Sequence, residues 1–175
     1  MQWTDILTRR MEYSYGVADN LLSMVKDSDL DWKPESGKNW MTVGQLAMHM
    51  TNACGYCCRN FATGDWGLPE GTEMPDVPED ETMPSAEKLP TVDSIATARK
   101  ALAEDRTLGL ATVSEAGEDR LENEMSSAPW APGMDKCLGA HLLNMCEHLD
   151  SHKAQLFYYL KLMGRDVNTM HLWGI

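Results

Sequence analysis

The chain has 175 residues, a length that suits one domain. A domain of this size buries roughly 70% of its unfolded surface, so it needs neither a disulfide nor a structural metal to fold. Its 27 acidic and 15 basic residues give a formal net charge of −12, which argues against nucleic acids and anionic membranes as partners. We therefore expect one domain over residues 1–175 that binds neither.

Cysteine usage and hydropathy predict a cytoplasmic protein. The N-terminal residues lack an apolar core of signal-peptide length, and no run of about 18 apolar residues occurs in the chain. The chain has five cysteines, an odd number, and three of them lie within residues 54–58. This distribution favours reduced thiols over disulfides. Because no second C-x2-C pair completes a zinc site, the three cysteines of residues 54–58 are predicted to pack in the core.

The first half of the chain predicts two helices. Apolar residues recur at helical spacing over residues 4–26, where Thr4 is the predicted N-cap. A second helix is predicted over residues 42–62. It opens with Thr42 and, three residues later, Gln45, which is the sequence pattern of a capping box.

The second half predicts two more helices after a long connection. Residues 64–90 hold five of the eight prolines and many acids, so we expect an acidic surface connection inside the domain. Helices are predicted over residues 91–115 and 136–163, with Asp135 capping the latter, and residues 116–135 are predicted to be irregular.

Together these elements predict an all-α fold, a four-helix bundle with long connections, because four helical segments occur with almost no strand signal. The apolar residues near the C-terminus are expected to pack against this bundle. They are Leu172, Trp173 and Ile175.

Three histidines form the main candidate site. His148 and His152 lie four residues apart, which places their Cβ atoms about 5–6 Å apart on one helix face. His49 lies in the apolar second helix. Buried imidazoles need partners, so one shared metal ion explains the three together better than separate packing roles. His141 lies two turns, about 10 Å, from His148 and is too distant to bind the same ion.

The chemistry of such a site follows from its ligands. Three neutral imidazoles suit Zn, Ni, Cu or Fe and leave a fourth position open. The ion lowers the pKa of a bound water or deprotonates a bound thiol, so that ligand is the expected reactive group. Gln155 and Asn144 lie about one turn from His152 and His148 and are candidates to contact the ligands or the substrate.

Two other interpretations stay open at this level. In one, the ion only stabilises the bundle, and His171 or a carboxylate from residues 64–90 closes the site as a fourth ligand. In the other, the chain is a metal-free helical dimer whose histidines pack and form hydrogen bonds. The residues alone do not choose among these interpretations.

Three segments of the chain resemble the DinB/YfiT superfamily. W-M-T-V-G-Q-L-A-M-H-M in residues 40–50 resembles the threonine-capped turn before the family's first ligand histidine. H-L-D-S-H-K-A-Q-L-F-Y-Y-L-K-L-M-G in residues 148–164 resembles its H-x3-H helix, and D-W-K-P at 31–34 its lead-in. Lys153 and Ala154 stand where arginine and glycine are common, so no role of that arginine carries over.

The resemblance implies a bundle of DinB/YfiT type, often a homodimer, with a divalent ion bound by His49, His148 and His152. The ion in such sites is usually zinc or nickel. Members with known activity use a low-molecular-weight thiol, which implies a metal-dependent transferase acting on an electrophilic small molecule. The alternatives are a hydrolase and a non-catalytic metal-binding or stress-response module.

Overall fold

The structure is a computed structural model that describes residues 2–67 and 85–175. Across these residues the chain is mainly helical, which confirms the predicted all-α class, and its two strands have two residues each. The elements are α1 Trp3–Leu22, α2 Val43–Met50, α3 Gly55–Thr63, α4 Ile95–Asn123, β1 Met125–Ser126, β2 Lys136–Cys137, α5 Leu138–Leu162 and α6 Thr169–Trp173.

The helices pack as a four-helix bundle. α1 packs on α4 and α5, and α3 packs on the same two helices. α2 also contacts α5, and α6 lies against α1 and α5. The short α2 and α3 together occupy the place of one predicted helix. None of the helices in the two described ranges is both long and apolar enough to cross a membrane.

The beginning of α1 differs from the prediction for residues 4–26. Thr4 is not the N-cap; Gln2 occupies that position and its side chain forms no capping hydrogen bond. The free amides at this end donate instead to Glu118 of α4, from Trp3 at 2.7 Å and from Thr4 at 3.1 Å. A carboxylate from the far half of the chain therefore replaces the local cap.

The second predicted helix, residues 42–62, is correct at its start and broken in its middle. The Thr42 hydroxyl accepts a hydrogen bond from the Gln45 amide at 3.2 Å, and the Gln45 side-chain oxygen accepts one from the Thr42 amide at 2.8 Å. This confirms the capping box. α2 then ends at Met50, and a second helix begins at Gly55.

A buried carboxylate from α4 starts α3. Asp105 accepts hydrogen bonds from the amides of Gly55 at 2.8 Å and Tyr56 at 2.7 Å, and from the Tyr15 hydroxyl at 2.6 Å. These bonds satisfy amides that a new helix leaves unpaired. The chain turns between the two helices, and this turn lies beside the histidine cluster.

The third helix is longer than predicted. It begins at Ile95, after a Ser94 cap, and runs to Asn123 instead of spanning residues 91–115. Gly117 adopts φ 67° inside it and marks a kink. The prediction that residues 116–135 are irregular is therefore wrong over their helical part.

The fourth predicted helix, residues 136–163, is observed as α5 from Leu138 to Leu162. Asp135 does not cap it, because Cys137 occupies the N-cap position and residues 136–137 pair with β1. The Asp135 carboxylate accepts a hydrogen bond from the Ser127 hydroxyl instead. The local capping pattern was overridden by the strand pair.

The C-terminal residues pack only in part. Leu172 lies against the core, whereas Trp173 is 54% exposed and Ile175 is 84% exposed. Most of the acidic connection predicted over residues 64–90 lies outside the described residues.

Candidate metal centre

His49 from α2 and His148 and His152 from α5 converge at the interface of these helices. Their Nε2 atoms lie 3.2 Å apart for His49 and His148 and 3.0 Å apart for His148 and His152. All three side chains are half-buried. Within the described residues they are the one group of three or more His, Cys, Asp or Glu side chains placed to hold a single ion.

These distances fit a small divalent ion. Tetrahedral zinc with Zn–N bonds of about 2.0–2.1 Å separates its ligand nitrogens by about 3.3 Å. The two nitrogen–nitrogen separations in the structure are within a few tenths of an ångström of that value. The donor set is also suitable, because imidazole nitrogen is a good ligand for Zn and Ni.

The histidines are held in their neutral form. Burial lowers the pKa of His49 and of His148, and it lowers the pKa of His152 to about 4. The neighbouring histidines lower the pKa of His49 and His152 further, since two imidazolium ions would repel each other. At neutral pH the rings therefore offer lone pairs, which is the state that binds a metal.

A backbone carbonyl orients His148. Its Nδ1 lies 3.1 Å from the Ala53 oxygen, and a carbonyl can only accept, so Nδ1 carries the proton and Nε2 is bare. Ala53 lies in the turn between α2 and α3, where the predicted continuous helix is broken. The unpredicted break thus supplies a contact that prepares a ligand nitrogen.

The two candidate amides differ in position. Gln155 lies with its side-chain oxygen 3.2 Å from Nδ1 of His152 and its nitrogen 3.0 Å from the Tyr159 hydroxyl. Asn144 is half-buried on α5 and forms no hydrogen bond to the three histidines in the described part of the chain. Sequence reasoning missed Tyr159, although its spacing of seven residues from His152 places it on the same face of α5.

The two remaining histidines lie elsewhere. His141 stacks on Phe61 with ring centroids 4.3 Å apart, and its Nε2 lies 2.8 Å from the Ser126 oxygen. His171 interacts with Asn168 within the α6 region and does not join the cluster. The suggestion that His171 is a fourth ligand is therefore wrong. Any carboxylate from residues 68–84 lies outside the described residues.

Three cysteines line the core near the turn that carries Ala53. Cys54 and Cys58 are buried, as predicted, whereas Cys57 is half-buried; Cys146 of α5 is also buried. All five cysteines are free thiols. Cys54 and Cys146 have sulfur atoms 3.9 Å apart, a packing contact that joins the turn to α5.

Comparison with known proteins agrees with the fold and the cluster. The profile of the DinB superfamily matches residues 10–156, a range that includes all three histidines. None of the curated proteins compared with the sequence matches it. A match over most of the chain, a helical bundle and a three-histidine cluster lead to one conclusion. The chain belongs to the DinB superfamily.

Proposed function

We propose that the protein is a metal-dependent enzyme that transfers a low-molecular-weight thiol to an electrophilic small molecule. The observation that carries this proposal is the convergence of three neutral imidazoles with no fourth His, Cys, Asp or Glu joining them among the described residues. Three protein ligands are typical of catalytic zinc sites, whereas structural sites are closed by four.

The chain's own residues prepare the site. His49, His148 and His152 would hold the ion, zinc or nickel, through nitrogens whose low pKa values keep them unprotonated. The Ala53 carbonyl fixes the ring of His148. When bound, the ion supplies Lewis acidity that favours the thiolate form of a thiol at neutral pH.

The proposed reaction is a nucleophilic displacement. The thiol releases its proton to solvent, and the thiolate sulfur then donates an electron pair to the electrophilic carbon and forms an S–C bond. The bond to the leaving group breaks with its electrons, so no external oxidant or reductant is required.

The test compares three forms of the protein purified without a histidine tag and incubated with Zn or Ni. Metal content is measured by mass spectrometry, and conjugation is measured as loss of free thiol and electrophile. We expect near-stoichiometric metal and thiol-dependent conjugation in the wild type and in His171→Ala, which removes a histidine outside the cluster. Both are expected to be lost in His148→Ala.

The same experiment separates the alternatives. Stoichiometric metal without conjugation across a broad panel of thiols and electrophiles would refute the enzyme. It would favour the non-catalytic module, in which chelation lowers the melting temperature. No metal uptake by the wild type would refute both and leave a bundle whose histidines are structural.

The compartment and the assembly belong to the same proposal. Five free thiols support a reducing compartment such as the cytoplasm. The homodimer rests on resemblance to the family, and light scattering of the purified protein would test it.

A further inference from the structure

We propose that Gln155 and Tyr159 are positioning residues that hold His152 in its metal-binding tautomer and thereby disfavour the metal-free state. The inference rests on metal binding at the three-histidine site. It does not depend on whether the site transfers a thiol.

A series of hydrogen bonds, here called the relay, runs from the Met41 carbonyl through Tyr159 and Gln155 to His152. The direction of each hydrogen bond in this relay is fixed. The Met41 carbonyl can only accept, so the Tyr159 hydroxyl, 3.0 Å away, donates to it. The Tyr159 oxygen in turn accepts from the Gln155 amide nitrogen at 3.0 Å. The Gln155 oxygen therefore faces Nδ1 of His152 at 3.2 Å and accepts its proton in a hydrogen bond. His152 thus carries its hydrogen on Nδ1, and its Nε2 is bare.

Packing around Tyr159 keeps this relay in place. The side chain is 2% exposed and its ring contacts those of Trp32 and Trp40, with centroids 5.3 and 6.2 Å away. If Gln155 rotated its amide, Tyr159 would have to donate to it and leave the Met41 carbonyl unpaired. A partly buried carbonyl without a donor is unfavourable, so the relay resists reversal.

The second histidine of α5 is held in the same way. Ala53 accepts from Nδ1 of His148, so that ring also presents a bare Nε2. Met41 precedes α2 and Ala53 follows it. Carbonyls at both ends of the helix that carries His49 therefore set the tautomers of the two histidines on α5.

These two tautomers leave a ring nitrogen of the metal-free site without a hydrogen-bond donor. Nε2 of His49 lies 3.2 Å from Nε2 of His148 and can donate a hydrogen to it, but that bond leaves Nε2 of His152 unpaired. The bare Nε2 atoms of His148 and His152 lie 3.0 Å apart, and neither has a hydrogen to donate to the other. Their lone pairs face each other in a half-buried setting, and a cation removes this repulsion. Without the relay, His152 would move its hydrogen to Nε2 and donate to His148. That bond would stabilise the metal-free protein and compete with the metal.

Loss of the relay should lower zinc affinity without lowering the melting temperature of the metal-free protein. A purely structural role would not separate these two quantities. Gln155→Leu removes the acceptor for His152, and we expect zinc affinity to fall about 10- to 100-fold. The melting temperature of the metal-free variant should equal or exceed that of the wild type. A residue that only supported the fold would lower both quantities together.

Three further variants complete the test. Tyr159→Phe should lower zinc affinity as Gln155→Leu does, because the amide is no longer held. Gln155→Glu retains an acceptor facing Nδ1 and should retain the affinity. Tyr158→Phe is the matched control, since this neighbouring tyrosine is 59% exposed and lies outside the relay.

Zinc affinity is measured by competition with a chromophoric chelator, and tautomers are measured by nitrogen-15 NMR of the histidine rings in metal-free protein. We expect Nδ1–H for His148 and His152 in the wild type and Nε2–H for His152 in Gln155→Leu. Wild-type affinity in both Gln155→Leu and Tyr159→Phe would overturn the inference. So would Nε2–H on His152 in the wild type, or an equal loss in Gln155→Glu. Failure of thiol conjugation would leave these results unaffected.

Discussion

Replacing Gly55 by alanine tests the close approach of α3 to α4. A Cβ at this position would lie 1.9 Å from the backbone oxygen of Asp105 and 2.8 Å from its carbonyl carbon. Favourable non-bonded contacts lie at about 3.5–4.0 Å, so the helices must separate by on the order of 1.5 Å. Both atoms are backbone, and no side-chain rotation relieves the clash.

Two terms set the size of the effect. Overpacking of this kind costs about 1–3 kcal/mol. The separation also stretches the bonds from the Gly55 and Tyr56 amides to the Asp105 carboxylate, and bonds to charged groups contribute about 1.5–3 kcal/mol each. Alanine returns up to about 1 kcal/mol through its helix propensity. Because these bonds are stretched and not broken, only part of their contribution is lost. We expect a net loss of about 3–5 kcal/mol, a large part of the 5–15 kcal/mol of a typical domain.

The assay is equilibrium unfolding in urea, with Gly16→Ala as the control. Gly16 lies within α1, and a Cβ there would meet no atom within 4 Å. That substitution should therefore stabilise the protein by about 0.5–1 kcal/mol. A Gly55→Ala protein within about 1 kcal/mol of the wild type would refute the reasoning, since the helices would then tolerate the contact.

Three other changes should alter stability. Thr42→Ala removes the cap of α2 and should cost about 1 kcal/mol in urea unfolding. Asp150→Leu leaves the Lys153 ammonium, 5% exposed, without the carboxylate 3.3 Å away and should cost about 3–5 kcal/mol in the same assay. Metal-free protein should lose stability as pH falls from 6.5 to about 4. In this range His152 is protonated in the unfolded chain but stays neutral in the folded protein, so protons favour the unfolded chain. This loss, measured by unfolding at each pH, is about 3 kcal/mol for His152.

Each of these has a result that would contradict it. Unchanged stability in Thr42→Ala would show that the local cap is dispensable. Asp150→Leu is compared with Glu104→Gln, which breaks an exposed ion pair. Glu104→Gln should change stability by at most about 0.5 kcal/mol. Equal effects of the two carboxylate changes would be inconsistent with burial as the cause. Stability independent of pH between 4 and 6.5 would show that His152 titrates normally.

Features that depend on near neighbours were predictable from the sequence. The capping box of Thr42 and Gln45 involves residues three apart, and the histidine pair on α5 involves residues four apart. His49 joined that pair in the prediction because its segment is apolar. Helical spacing and local apolar context therefore sufficed to identify the cluster.

Features set by distant partners were not predictable. The start of α3 depends on Asp105, which lies 50 residues from the Gly55 amide it binds. The break in turn places the Ala53 carbonyl, 95 residues from His148. Similarly, Asp135 has the right residue type for a cap, but the strand pair draws the chain away from that role. Tertiary contacts of this kind leave no local pattern.

The metal ligands lie on two helices that are far apart in sequence, and this has a consequence for folding kinetics. His49 and His148 are separated by 99 residues, so the third nitrogen reaches the pair on α5 only after a long loop has closed. The ion's full stabilisation then arises on the native side of the folding barrier. We expect added zinc to slow unfolding while leaving the refolding rate unchanged. Bound metal would therefore prolong the lifetime of the native state without accelerating its formation.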